Sequence, residues 1–308
     1  MSDIARAEAI LRAACGDRVR TAFPMAPLTS FRIGGPAALY LEPESESDLA
    51  AASQALAAGR LPHVVIGKGS NVLVSDRGFQ GLVLRLGRAY RWAARDGNRL
   101  SAGGSMPLPA LAGVALHHAL DGLAFGVAIP ASLGGAVKMN AGAHGAEVAD
   151  VITDVEVFRL ETGGIEHVTV DEAGFSYRRS ALPDDAIVTG ATLVLRTGAP
   201  GDIRAAMDEA RAWRRATQPL AEPNCGSVFK NPPGGHAAQL IEETGLKGER
   251  VGDVQVSQKH ANFIVAGPGG RAEDVRALIE LVREAVQART GVALEPEVRL
   301  IGEFDRVA

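Results

Sequence analysis

Three short stretches hold the side chains best suited to chemistry. Gly226-Ser227-Val228-Phe229-Lys230-Asn231-Pro232 places a hydroxyl, an ammonium and an amide in one turn-forming loop, the kind of segment where function concentrates. No GxSxG surrounds Ser227 and no His-Asp pair is evident nearby, so a nucleophile elbow is a poor reading. A proton-donating hydroxyl is the better one. Tyr177-Arg178, within Phe175-Ser176-Tyr177-Arg178-Arg179-Ser180, sets an aromatic ring beside a guanidinium that can stack and can hold a carboxylate through two parallel bonds. A plain surface arginine is the bland alternative. Glu297, in Leu294-Glu295-Pro296-Glu297-Val298-Arg299, follows a proline that pins the backbone. A carboxyl held rigidly and buried has its pKa raised and can stay protonated, although a solvated acid at a strand end is the commoner case.

Two glycine-bearing runs could hold a ligand with backbone alone. Gly67-Lys68-Gly69-Ser70-Asn71 follows the apolar His63-Val64-Val65-Ile66 and precedes Val72-Leu73-Val74. Glycine loops behind a strand can aim N–H groups at a phosphate. GxxxxGK[ST] fails because Gly69 follows Lys68, and GxGxxG fails because position 72 is valine. The loop fits a plain turn and a phosphate nest equally well, by neither a Walker nor a Rossmann arrangement. The second run is Ile129-Pro130-Ala131-Ser132-Leu133-Gly134-Gly135-Ala136, continuing to Asn140-Ala141-Gly142-Ala143. It has little side chain from which to build a core. It suits a backbone laid against a flat or extended ligand, a reading favoured over tight backbone packing.

Bulk properties narrow the class. The chain has 308 residues, 46% hydrophobic and 22% charged, ordinary for a globular protein with two or three domains. A formal net charge of −4 disfavours nucleic acid as a partner. Cys15 and Cys225 are far apart and outside any CxxC, so neither a disulfide framework nor a zinc site follows, and a reducing cytoplasm is the natural setting. The histidines show no HxH or HExxH spacing, which leaves the metal reading poor. The first residues lack an apolar signal region. No stretch of roughly 18 apolar residues occurs, so no membrane association is expected.

The elements that must position these groups are legible as periodicity. Helices are expected over 3–14, 47–58, 109–120, 202–217, 237–243 and 272–289. The last carries Val275, Leu278, Ile279, Val282 and Val286 at helical spacing. Strands are expected over 38–41, 63–66, 72–74, 82–86, 151–160, 166–170, 186–196, 262–266 and 298–301, with a hairpin over 90–102 turning at Asp96-Gly97. The pattern divides the chain into an α+β unit over 1–86, a second over 87–198 and a C-terminal α/β unit over 199–308.

Taken in order, Ser30-Phe31-Arg32-Ile33-Gly34-Gly35-Pro36, the loop from Gly67 to Leu73, the run 129–145, Tyr177-Arg178, the loop 226–232 and the stretch 294–299 closely resemble the UDP-N-acetylenolpyruvoylglucosamine reductases. The resemblance runs from about residue 20 to the end of the chain. It implies a two-part FAD-binding module of the vanillyl-alcohol oxidase (PCMH) type, made by the first two units, and a C-terminal domain that binds the UDP-sugar. The last strand could pack back on the FAD module. Non-covalent FAD would contact Gly67, Lys68, Gly69, Ser70, Asn71, Val72 and Leu73, and also Ile129, Pro130, Ser132, Gly134, Gly135, Ala136, Asn140, Ala141 and Gly142. Arg178, Ser227 and Glu297 match the catalytic positions. Tyr177, Lys230 and Asn231 fall where substrate is contacted.

The implied reaction is UDP-N-acetylmuramate dehydrogenase chemistry, with NADPH as co-substrate. NADPH reduces FAD, and a hydride reaches C3 of the enolpyruvyl ether. Arg178 and a protonated Glu297 offset the enolate charge, and Ser227 protonates C2. Departures from the family pattern are Leu28, Ala131 and His144, and a stretch from 178 to 198 too short for a tyrosine-bearing substrate loop. Two other readings compete: a flavin-dependent sugar or alcohol oxidase of the same fold and, least favoured, a non-enzymatic flavin- or nucleotide-sugar-binding module.

Overall fold

Ser2 opens the first helix, Asp3–Cys15, by accepting the Ala5 N–H, and Gly16 closes it at φ +58°. Ala7, Leu11 and Cys15 recur every four residues and are buried, which is one face of a helix. They share a core with Leu49, Ala52 and Leu56 of the helix Glu46–Gly59. Ser45 caps that second helix by accepting the Asp48 N–H at 3.2 Å. Asp48 is buried and takes two bonds from Arg18, at 2.5 and 2.6 Å, with a third from the Glu44 N–H at 2.8 Å.

The computed structural model describes residues 2–305. The chain forms two compact units, each assembled from separated segments. One takes the chain up to Thr21, then Leu39–Lys68 and Gly81–Arg214; the other takes Ala22–Ala38, Gly69–Gln80 and the chain from Arg215 onward.

The first unit is built on a five-stranded antiparallel sheet. Its order is Gly164–Thr169, Ile152–Arg159, Ala186–Val194, Arg99–Gly103, Ala93–Asp96. Strand alternation sends neighbouring side chains to opposite faces. Val188 accordingly joins a core with Leu100, Leu108, Leu111 and Leu133. Ile187 and its cross-strand partner Phe158 join the core of the two N-terminal helices.

The second unit packs the helix Ala272–Thr290 through Val275, Leu278, Ile279, Val282 and Val286, the residues the sequence placed on one face. Asp76 receives the Ala272 and Glu273 N–H groups at 3.0 and 3.2 Å. It thereby satisfies the start of a helix that has no side-chain cap of its own. A three-stranded antiparallel sheet, Arg250–Val251, Val254–Val256 and Ile264–Ala266, lies in the same unit. Val72–Val74 pairs in parallel with Arg299–Ile301.

Three local features depart from the sequence expectation. The small-residue run contains a helix, Leu133–Lys138, which Ser132 caps by accepting the Gly135 N–H at 3.4 Å. Two adjacent glycines hide that helix from propensity. The expected strand over 262–266 shortens to Ile264–Ala266, because Asn262 serves a neighbouring loop. The strand Arg20–Pro24 and the pair Arg250–Val251 with Val254–Val256 lie outside the expected strands; each is five residues or shorter, too short for a periodic pattern to register.

The Arg18 hydrogen bonds, acting chiefly, hold Asp48 down at about 2, against an ordinary 3.8. Stability from this carboxylate is therefore complete above pH 3.8 and lost as pH falls through about 2. Arg18 is partly solvent-exposed, so screening limits the contribution to about 1–2 kcal/mol. Urea unfolding of Asp48→Asn should show a loss of that size at neutral pH that shrinks toward pH 2; a loss independent of pH refutes the assignment.

Candidate active site

In the second unit, Phe229 forms an antiparallel bridge with Pro296. The Glu297 N–H donates to the Val228 carbonyl at 2.7 Å, and the Lys230 N–H donates to the Glu295 carbonyl at 2.9 Å. Ser227 and Glu297 are thus brought together on neighbouring backbone. Asn71 joins them: its Nδ2 donates to the Glu297 carbonyl at 3.1 Å, and its own carbonyl accepts the Arg299 N–H at 3.1 Å.

Asn262 holds the Ser227 loop from a third direction. It is buried, its Nδ2 donates to the Phe229 carbonyl at 2.8 Å, and its Oδ1 accepts the Phe229 N–H at 2.9 Å. Its backbone carbonyl accepts the Val228 N–H at 2.9 Å. The Asn262 N–H in turn donates to His260 Nδ1 at 3.2 Å. Burial, then the Lys247 charge, lowers the His260 pKa, which favours the neutral acceptor form. Upstream, Gly226 sits at φ +79° with its N–H on Asn224 Oδ1 at 2.9 Å. Ser227 is half-buried, and its hydroxyl bonds to none of the described residues. Burial raises the Cys225 thiol well above its usual range, with a smaller upward push from the Glu297 charge. That thiol stays protonated, so the loop carries no thiolate.

Lys230 and Asn231 have protein partners. Lys230 Nζ pairs with Glu295 at 2.7 Å, and Asn231 Oδ1 accepts the Ala237 N–H at 3.1 Å, at the start of the helix Ala237–Glu243.

Arg178 belongs to the first unit. The Ser176 N–H donates to the Arg179 carbonyl at 2.9 Å and the Arg179 N–H returns to the Ser176 carbonyl at 3.0 Å, which makes a tight turn with Tyr177 and Arg178 at its centre. Arg178 sits at φ +55°, where turns favour glycine; such a residue carries about 1–3 kcal/mol of strain. Its guanidinium carbon lies 5.1 Å from the Tyr177 ring centroid, within cation–π range. Its Nη2 donates to the Gly142 carbonyl at 2.8 Å. Asn140 and His144, on the same small-residue segment, also have positive φ, +41° and +54°. The His144 ring meets Trp213 edge-on at 5.1 Å.

Gly67 meets the second glycine run within the first unit, where a Cβ on it would overlap Ser132 Oγ. A larger residue there would require the Ser132 hydroxyl to turn away. Among the described residues, the backbone N–H groups of Gly67, Lys68, Gly69, Ser70 and Asn71 donate to no protein acceptor, whereas no buried side-chain polar atom lacks a partner. Consecutive unsatisfied donors, one on the buried Gly69, call for an external acceptor. The donor set fits the pyrophosphate of FAD. Gly134 and Gly135 are half-buried and Pro130 is exposed, while the side chains of Leu73 and Ala136 lie wholly inside apolar cores. A cavity of about 330 Å³ in the second unit is lined by Phe31, Ile33, Pro223 and Ala266, among others, and by none of the candidate residues.

Asn262 and Asn224 were not singled out in the sequence. Asn262 left a usable signal, as a polar residue inside the apolar run Ala261-Asn262-Phe263-Ile264-Val265-Ala266. A buried amide in such a run must find partners.

This fold and donor set define an FAD-binding oxidoreductase of the α+β PCMH type. A profile of an FAD binding domain matches residues 37–169, and a profile described as "UDP-N-acetylenolpyruvoylglucosamine reductase, C-terminal domain" matches residues 218–301. The UDP-N-acetylenolpyruvoylglucosamine reductase of Heliobacterium modesticaldum is 47% identical over 91% of this chain and 90% of its own length. The crystal structure of the Thermus caldophilus enzyme superposes with a TM-score of 0.80 at 37% identity, over 92% of this chain and 99% of the other. A glucose dehydrogenase, Phl p 4.0202, reaches a TM-score of 0.50 at 12% identity, over 73% of this chain and 52% of its own, a likeness of fold alone. The chain belongs to the UDP-N-acetylenolpyruvoylglucosamine reductase family.

Asn262→Ala should cost about 2–3 kcal/mol, because it strands the buried Phe229 N–H and carbonyl. Chemical denaturation checks this, and a loss below about 0.5 kcal/mol, the scale of an ordinary surface change, rules out the clamp.

Proposed function

We propose that the chain catalyses NADPH-dependent, FAD-mediated reduction of UDP-N-acetylglucosamine enolpyruvate to UDP-N-acetylmuramate, a step in making peptidoglycan precursors. Residues 1–86 and 87–198 serve the flavin, and 199–308 serve the UDP-sugar. The work takes place in the cytoplasm. Among the described residues no helix is long and apolar enough to cross a membrane.

When bound, FAD supplies hydride chemistry, accepting electrons from NADPH and passing hydride to C3 of the enolpyruvyl group. The backbone donors of 67–71 and the run 129–136 hold the cofactor. Addition at C3 leaves negative charge on C2 and the adjacent carboxylate of the sugar. Arg178, its guanidinium already oriented by Gly142 and Tyr177, offsets that charge without having to reorganise. Glu297, its backbone fixed by Val228 and Asn71, donates a hydrogen bond to the enolate when protonated. Ser227 gives its hydroxyl proton to C2. A serine hydroxyl is a weak acid, but an enolate carbon is basic enough to take its proton, and solvent then restores it. Tyr177, Lys230 and Asn231 contact the substrate.

The observation that carries this reading is the Ser227 hydroxyl, half-buried, bonded to no acceptor among the described residues and set beside Glu297 by backbone pairing. Ser227→Ala should keep flavin binding and bleaching by NADPH, and should lose roughly 10²–10⁴ in the rate of sugar reduction. Stopped-flow absorbance separates the two half-reactions. Turnover equal to that of the unsubstituted enzyme removes Ser227 from the chemistry. Fast reoxidation by oxygen, with none by the sugar, points to an oxidase instead.

A further inference from the structure

We infer that Asn140 is a positioning residue for Arg178 and not a cofactor contact. This rests on the reading that Arg178 offsets charge in the reaction. Asn140 is fully buried. Both ends of its amide are engaged inside the first unit. Nδ2 donates to the Ser176 carbonyl at 3.0 Å and Oδ1 accepts the Ala149 N–H at 3.0 Å. Ser176 is the first residue of the turn that carries Arg178, and it exchanges both backbone bonds with Arg179.

The contacts close a circuit. Asn140 holds the Ser176 end of the turn, Arg178 occupies the second central position at φ +55°, and its guanidinium reaches back to Gly142, two residues beyond Asn140. One short segment therefore fixes both the backbone and the head group of the arginine. An L residue does not hold a positive φ by its own preference, so the conformation has to be imposed by anchors of this kind. Asn140 itself sits at φ +41°, a region that asparagine tolerates better than most residues. An asparagine thus supplies the bent backbone and the two-ended amide together. If the Ser176 tether is removed, the turn can relax, and the guanidinium loses the orientation that makes it useful to a transient charge.

The test uses the flavin-loaded enzyme with two variants. Asn140→Gly accepts the positive φ and removes the amide. Asn140→Asp keeps the acceptor for Ala149 and faces the Ser176 carbonyl with a group that does not donate when ionised. Flavin content and the rate of bleaching by NADPH should stay within about twofold, while kcat for sugar reduction should fall by about 10²-fold, the scale of a small misplacement of a catalytic group. Combined with Arg178→Ala, either change should add almost nothing to the loss from Arg178→Ala alone. Loss of flavin from both variants overturns the inference in favour of a cofactor contact, and full additivity with Arg178→Ala overturns it in favour of a general structural role. Unchanged sugar reduction in the Asn140 variants, with Arg178→Ala impaired, removes the positioning role only. Unchanged sugar reduction in Arg178→Ala removes the assignment of Arg178 itself, and this inference with it.

Discussion

Val228 accepts the Glu297 N–H, Glu295 accepts the Lys230 N–H, and Asn262 binds both backbone groups of Phe229. This small polar lattice lies against the core that contains Val228, Phe229 and Leu294. A buried backbone without partners would unravel or take up water. Here the demand is met inside the protein by backbone groups and Asn262. Ser227 follows directly: the backbone beside it is fixed, and its hydroxyl has no protein acceptor among the described residues. Glu297 is placed by the same lattice and by Asn71, whose Nδ2 donates to its carbonyl.

The loop 67–71 shows the opposite arrangement. Its N–H groups are left open among the described residues; Gly69, at φ +64°, is required by its close approach to the Leu28 carbonyl, while Gly67 lies against the Ser132 hydroxyl. Glycine here serves the protein's own packing first. The open donors are a consequence, because backbone pressed against backbone in this way forms no regular ladder. That explains how a phosphate cradle can exist without either familiar glycine fingerprint. The departure at Leu28 bears on this loop through its backbone carbonyl, a contact indifferent to which side chain the residue carries.

The long elements were legible in the sequence because their periodicity is a direct record of burial. The helix Ala272–Thr290 and the strand Ala186–Val194 appear close to where the apolar pattern puts them. The chemistry-bearing residues could be named because their order along the chain resembled a known family; singly, each had a bland reading. What could not be read was non-local. Leu133–Lys138 is a helix despite two glycines, since Ser132 caps it and Gly134 packs against Gly104 and Val188. Asn262 looked like a strand residue because its partners lie more than thirty positions away. The two discontinuous units likewise depend on which distant segments share a core, and periodicity carries no record of that.

The two constellations solve the problem of holding a functional side chain by different physical means. Around Ser227 the backbone is satisfied by hydrogen bonds and the one positive φ falls on Gly226, where it costs little. Around Arg178 the positive φ values fall on Asn140, His144 and Arg178 itself, so strain is retained and must be opposed by anchors. Strain of this kind persists only where the surroundings over-determine it, and the Asn140–Ser176 and Arg178–Gly142 bonds are the visible restraints. A hydroxyl that gives up a proton tolerates rotation about its Cβ–Oγ bond, since the proton can follow the acceptor. A guanidinium that offsets charge over a planar enolate-carboxylate must keep its own plane. The stricter geometric demand falls on the arginine, and there the strained backbone of Asn140, His144 and Arg178 is held by side-chain anchors.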